Sequence, residues 1–160
     1  DVTFYPQALA AISRVRRSPY KVVVITNQAG VGKGLISPDV AEEVNSRIVG
    51  EIAAAGGRVD AVMVCPHRPE DGCDCRKPKP GLLLRAAVEH SLDLSRSILI
   101  GDALTDLMAG RAAGVHMLVL VRTGRGAEQA VLPEVSALDA FRIYDTLADA
   151  LADLVPETAS

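Results

Sequence analysis

The chain of 160 residues has no tryptophan, and three tyrosines and two phenylalanines hold its aromatic content to 3% although 49% of the residues are hydrophobic. A core of that composition must be aliphatic, built from Val, Leu, Ile and Ala. Neither sign of charge dominates: 17 Lys and Arg stand against 20 Asp and Glu, a formal net charge of −3. That balance excludes a polybasic surface, so neither nucleic acid nor an anionic membrane is the expected partner. No apolar run approaches the roughly 20 residues of a spanning helix, and no stretch reads as a secretory signal. Cysteine is scarce and odd in number, three in all, which does not fit the even disulfide framework of a secreted scaffold. A reducing cytoplasm is the compartment these absences predict. Repeats, low-complexity tracts and linkers are also missing, so residues 1–160 are expected to form a single domain with a sizeable core.

What cysteine there is falls in one place. Cys65, His67, Cys73 and Cys75 follow a C-x-H-x5-C-x-C pattern, and three thiolates with one imidazole make a closed tetrahedral zinc set. Alternate residues of an extended turn point to the same face, so the two arms can grip an ion from two sides. Pro66, Pro69, Pro78 and Pro80 bar a helix here, and a metal would replace the backbone bonding the loop cannot make. The alternatives are a disulfide, buried free thiols, or a redox pair at Cys73 and Cys75. Arg76 and Lys77 come directly after the last ligand, where a rigid loop would hold two cations in a fixed place.

Taken in order, Pro6 to Arg17 reads as a helix with basic residues in its last turn. Lys21 to Ile25 (KVVVI) is a β-branched run of the kind buried in parallel sheets, and a Gly-rich loop from Thr26 to Gly34 follows it. Ser37 caps the next helix, with Pro38 at its first position and an apolar stripe of Val40, Val44, Ile48 and Ile52 that Gly56 and Gly57 end. Strands are predicted at Val59 to Val64, Ser97 to Ile100, His116 to Val121 and Phe141 to Tyr144. Helices are predicted at Gly81 to His90, Leu104 to Ala113 and Thr146 to Leu154, the last capped by Asp145, with a polar loop from Arg122 to Glu128. This alternation predicts an α/β fold: three layers, a doubly wound and mainly parallel Rossmann-like sheet, and a zinc-binding loop.

Ligands of such sheets bind at the carboxyl ends of the strands, and three polar clusters fall there. After the first strand, Thr26 offers a hydroxyl, and the Gly-rich turn behind it offers backbone N–H groups suited to phosphoryl oxygens. Gly32-Lys33 resembles the end of a Walker A element, but that motif needs Gly where Asn27 stands and Ser or Thr where Gly34 stands. After the second strand, Arg76 can clamp oxygens in bidentate fashion and Lys77 supplies a point charge. After the third, Asp102 and Asp106 lie four apart across a strand-to-helix turn, a placement that can bring carboxylates to one Mg2+; the alternative is that either simply caps the helix.

ITNQ at Ile25 to Gln28, CPH at Cys65 to His67, CDCRKP at Cys73 to Pro78, GD..TD at Gly101 to Asp106 and VRTG at Val121 to Gly124 together resemble the haloacid dehalogenase-type phosphatases. Within them, the resemblance is to the group that includes heptose bisphosphate and histidinol phosphatases. It runs from about Tyr5 to the C-terminal helix, and the CPH…CxCRKP combination is its specific part. It implies a Mg2+-dependent phosphomonoester hydrolase acting on a small phosphorylated sugar, as a monomer. By that resemblance Thr26 and Lys77 are catalytic, and Asn27, Gln28, Ala29 and Arg76 contact substrate. Asp102 ligates Mg2+, with Asp106 as a further ligand or a support behind it, while Cys65, His67, Cys73 and Cys75 hold structural Zn2+.

One departure is large. The family's opening D-x-D-G-[TV] strand, which supplies the nucleophile, has no counterpart here: Asp1 follows no buried strand and position 3 is Thr3. The expectation is that this strand and motif belong upstream of Asp1; a chain truly without them would be a non-catalytic phosphosugar-binding module. A smaller departure is Ala103, where the heptose enzymes often have Lys, which bears on substrate more than on chemistry.

Overall fold

The structure, a computed structural model, describes residues 13, 15, 16, 18–27 and 32–155. Most of the helix predicted from Pro6 to Arg17, together with Gln28 and Ala29, lies outside the described residues. The chain divides into two compact units, the first running to Cys73 and rejoined from Leu151, the second Asp74–Ala150.

The first unit contains β1 (Val23–Asn27), α1 (Pro38–Ala54) and β2 (Ala61–Cys65). β1 and β2 pair in parallel from Val23 opposite Ala61 to Asn27 opposite Cys65. Parallel neighbours need a crossover, and α1 is that crossover. Ser37 caps it as expected, its Oγ accepting the Val40 N–H at 3.2 Å, with Pro38 at the first position. The face turned inward differs from the predicted stripe. Val40 and Val44 are exposed at 48% and 38%, while Ala41, Asn45, Ile48 and Val49 are half-buried and Ile52 is buried. Ile48 and Ile52 of the predicted stripe thus face inward, but in the first half of the helix the inward face runs through Ala41 and Asn45 in place of Val40 and Val44. Ahead of β1, Asp60 accepts the Val22 N–H at 2.6 Å, and Arg58 donates to the carbonyls of Arg16 and Tyr20 and to Asp60. These bonds tie the entry of β1 to the entry of β2.

The second unit contains α2 (Gly81–Glu89), β3 (Ile98–Gly101), α3 (Leu104–Ala113), β4 (Met117–Val121), α4 (Gly126–Ala130), α5 (Pro133–Ser136) and β5 (Phe141–Tyr144), and α6 (Leu147–Leu154) begins in it. The strands form a parallel sheet in the order β3-β4-β5. Its core gathers Leu107, Leu118, Leu120 and Val135, with Leu99, Leu104 and Phe141 packed against them and no aromatic at the centre. α3 comes close to the sheet because Gly110 has no side chain: a Cβ there would lie 2.5 Å from Leu118 Cδ2 and 3.3 Å from Leu99 Cδ1. Gly114, in the left-handed region at φ +84, ends the helix.

Two local readings change. Thr146, not Asp145, caps α6: its Oγ1 accepts the Asp149 N–H at 3.1 Å, while Asp145 pairs with Arg122 at 2.7 Å. The stretch read as a polar loop from Arg122 to Glu128 turns into α4 at Gly126, a helix of five residues and too short to show a period. Tertiary bonding supports it, since Gln129 Oε1 accepts the Leu104 N–H at 2.8 Å.

Candidate functional site

In the first unit, Thr26 and Asn27 are the last residues of β1, half-buried at its carboxyl end. Among the described residues the Thr26 hydroxyl has a long bond, 3.5 Å, to the Asn27 carbonyl, at the limit of what counts as one. Beside it, β2 ends at Cys65, opposite Asn27 in the register. Further along the Gly-rich loop, Gly32 donates its N–H to the Pro66 carbonyl at 2.9 Å, and a Cβ there would stand 2.6 Å from that oxygen. Close approach of two backbones is therefore the reason for Gly at 32.

The loop from Cys65 to Cys75 brings its four donors together. The Sγ atoms of Cys65, Cys73 and Cys75 and a ring nitrogen of His67 all lie within 4.8 Å of one another. Cys65 Sγ is 3.6 Å from both His67 Nδ1 and Cys73 Sγ. Ligands at zinc bonding distances on a tetrahedron stand about 3.3–3.8 Å apart, which these two separations match, so the cluster could hold a metal ion. None of the cysteines is in a disulfide, and the sulfurs of Cys65 and Cys73 are well beyond S–S bonding distance. Cys65 and Cys75 are buried and His67 is exposed. Between the two arms, a short helical turn, Pro69–Asp71, is clasped by Arg68. Its N–H donates to Asp71 Oδ2 at 2.7 Å and its guanidinium to Oδ1 at 2.9 Å. These bonds hold the Asp71 carboxyl below the ordinary carboxylate value and raise Arg68 in return.

In the second unit, Lys77, Asp102 and Asp106 come together at the carboxyl end of β3. Asp106 is 7% exposed and is the one buried polar or charged residue among the described residues. Its Oδ1 accepts from the Lys77 ammonium, in a pair whose side chains are only 15% and 10% exposed. Its Oδ2 accepts the N–H groups of Asp102 and Ala103, each at 3.1 Å. Gly101 is required by this arrangement, because a Cβ there would run into the Asp106 carboxylate. Asp102 is half-buried and presents a carboxylate whose Oδ2 accepts the Arg125 N–H at 3.1 Å. Among the described residues no donor is set against its Oδ1, which leaves a hard oxygen suited to Mg2+. Arg76 carries an enclosed Nη1 with no hydrogen-bond partner. A buried unpaired donor of this kind costs about 1–3 kcal/mol, which an anionic oxygen would offset.

The sequence marked Lys77, Asp102 and Asp106 singly. It did not mark the ties between them, nor Arg125 and Gly124 behind Asp102. In the sequence VRTG carries a family resemblance and no more; its φ-positive glycine beside a carboxylate is legible only in three dimensions.

The sequence model of the HAD-hydrolase-like family matches residues 74–150. A D-glycero-beta-D-manno-heptose-1,7-bisphosphate 7-phosphatase of Bordetella bronchiseptica is 37% identical over 155 residues, 95% of this chain and 83% of that protein. The chain belongs to the HAD-like hydrolases. A phosphatase of the same name from Pseudomonas aeruginosa is 41% identical over 121 residues, 76% of this HAD-like chain and 67% of that one. A crystal structure of the D,D-heptose 1,7-bisphosphate phosphatase of B. bronchiseptica, complexed with magnesium and phosphate, agrees with a TM-score of 0.85 at 35% identity, over 96% of this chain and 84% of that one. The parallel α/β architecture of this HAD-like hydrolase is that of its neighbours.

Proposed function

We propose that this HAD-like phosphatase is a Mg2+-dependent hydrolase of a sugar phosphomonoester, removing the 7-phosphate of D-glycero-beta-D-manno-heptose 1,7-bisphosphate. The observation that carries the reading is the group at the end of β3, where a buried Asp106 tethers the Lys77 ammonium and the backbone that presents Asp102. Two fixed charges of opposite sign suit a reaction whose negative charge spreads over phosphoryl oxygens, with placement and electrostatics as the main sources of rate. The names of the relatives supply the substrate, and the magnesium and phosphate of the solved neighbour support the cofactor.

In this reading Asp102 holds Mg2+ through Oδ1, and the ion, when bound, polarises the phosphoryl group and neutralises its charge. Lys77 neutralises the phosphoryl oxygens from a position that its partner Asp106 sets. Thr26 donates its hydroxyl to a phosphoryl oxygen, Arg76 offers Nη1 to an oxygen of the substrate, and Asn27, Gln28 and Ala29 are read as substrate-binding from the sequence resemblance. Cys65, His67, Cys73 and Cys75 hold a structural Zn2+ that keeps Arg76 and Lys77 in place. A cytoplasmic monomer that binds no nucleic acid completes the reading. Among the described residues no helix is long and apolar enough to cross a membrane.

The test is phosphate release by the full-length protein with Mg2+, from the heptose bisphosphate and from histidinol phosphate. Turnover of the first is expected, removing the 7-phosphate. Preference for histidinol phosphate would transfer the assignment to that substrate, and phosphosugar binding without turnover of either would make the protein a binding module.

A further inference from the structure

Asp102 is fastened by a neighbouring loop, the one that leaves β4. β3 and β4 run parallel with Gly101 opposite Leu120, so Asp102 and Val121 leave the sheet side by side. The loop then doubles back sharply. Ala127 donates its N–H to the Arg122 carbonyl and Gly126 donates to that of Thr123, each at 3.0 Å; a Cβ on Gly126 would strike the Val121 carbonyl. At the tip, Gly124 adopts φ +60, and a Cβ there would lie 2.5 Å from Asp102 Oδ2 and 3.5 Å from Cγ. The next residue, Arg125, donates its N–H to that same Oδ2 at 3.1 Å. From the other side, Asp102's own N–H is held by Asp106 Oδ2.

We propose that Gly124 is a positioning residue for Asp102. Lacking a side chain, it lets the loop backbone lie against the carboxylate, so that the Arg125 N–H fixes Oδ2 and leaves Oδ1 set for a cation. The inference rests on the reading of Asp102 as a Mg2+ ligand and adds what presets that ligand. A carboxylate held in one rotamer loses less freedom on binding an ion than a mobile one. Its hydrogen-bonded support therefore contributes to affinity, and removal of such partners typically costs about 10–100-fold.

The test uses the full-length protein and Mn2+ as a probe, with free ion counted by electron paramagnetic resonance and Mg2+ added in competition. Gly124→Ala is expected to weaken Mn2+ binding by about 10–100-fold. It should raise the Mg2+ needed for half-maximal activity, with kcat recovering at high Mg2+. Gly114→Ala is the control: φ is +84 there and a Cβ meets nothing within 4 Å, so it imposes left-handed strain without the contact. It should lower the melting temperature and leave Mn2+ affinity unchanged. Gly124→Asn, whose side chain tolerates a left-handed backbone, should weaken Mn2+ as Gly124→Ala does, and it serves if the alanine variant does not fold. Wild-type Mn2+ affinity in the Gly124 variants, or an equal loss in Gly114→Ala, would overturn the inference. Loss of Mn2+ binding in Asp102→Asn without loss in Gly124→Ala overturns it alone. Unchanged affinity in Asp102→Asn overturns the ligand assignment beneath it as well.

Discussion

Asp106 accepts from one ammonium and two backbone N–H groups, so a change of one atom there separates two roles. Asp106→Asn keeps an oxygen for the N–H groups of Asp102 and Ala103 but loses the ion pair with Lys77. We expect a fall in kcat of about 10²-fold, with the Mg2+ requirement little changed and a lowered melting temperature, since the Lys77 ammonium loses its buried counter-charge. Asp106→Ala also strands two poorly exposed donors, at about 1–3 kcal/mol each, and should melt well below the wild type. Lys77→Ala is expected to lower kcat by about 10²–10³-fold and also to lower the melting temperature, because it leaves the buried Asp106 carboxylate without its cation. Steady-state phosphate release beside thermal melts checks all three. The sequence allowed Lys77, Asp102 and Asp106 to be named, because each follows a β-branched strand or its metal loop. It could not reveal that Lys77 and Asp106, 29 residues apart, are partners, since spacing says which side chains share a turn and not what stands opposite them.

Elements were legible in type and less so in their ends and faces. β5 and α3 lie where the pattern put them, and α2, β3 and β4 begin or end within a residue of it. The cap of α6 was assigned to the wrong neighbour because Asp145 and Thr146 are both good capping residues, and only Arg122 decides between them. Thr146→Ala should therefore cost about 1 kcal/mol, and Asp145→Ala, which loses an exposed ion pair, much less. Urea unfolding of the two variants gives the comparison. On α1, Ile48 and Ile52 face inward as expected, but Val40 and Val44 do not, because Ala41 and Asn45 take the inward positions of the first half although they are weak hydrophobic signals. At Gly110 the sequence offers no clue at all, since a glycine inside a helix reads as a defect until the Leu118 and Leu99 side chains against it are seen. Gly110→Ala is expected to destabilise by about 1–3 kcal/mol through overpacking, against the slight gain that propensity alone predicts.

For the molecule as a whole, alternation of strand and helix was enough to predict parallel α/β architecture, because crossover connections permit few other folds. The division of the described strands into a pair and a trio was not predicted, since which strands pair is a non-local outcome that no local pattern encodes. The clustering of Cys65, His67, Cys73 and Cys75 was the most legible part, since the four are close in sequence as well as in space. If the Cys/His cluster holds zinc as proposed, a strong chelator is expected to lower the melting temperature and abolish activity in parallel, because the ion would replace regular bonding across a proline-rich loop. Loss of neither would end the structural role of the zinc.

The hydrogen bond from Gly32 to Pro66 links the glycine-rich turn after β1 to the first arm of the Cys65–Cys75 loop. The exchange rate of that single amide proton with deuterated solvent would consequently register whether the loop is clamped or slack. Followed with and without added zinc, it would test the proposed metal site with neither substrate nor turnover.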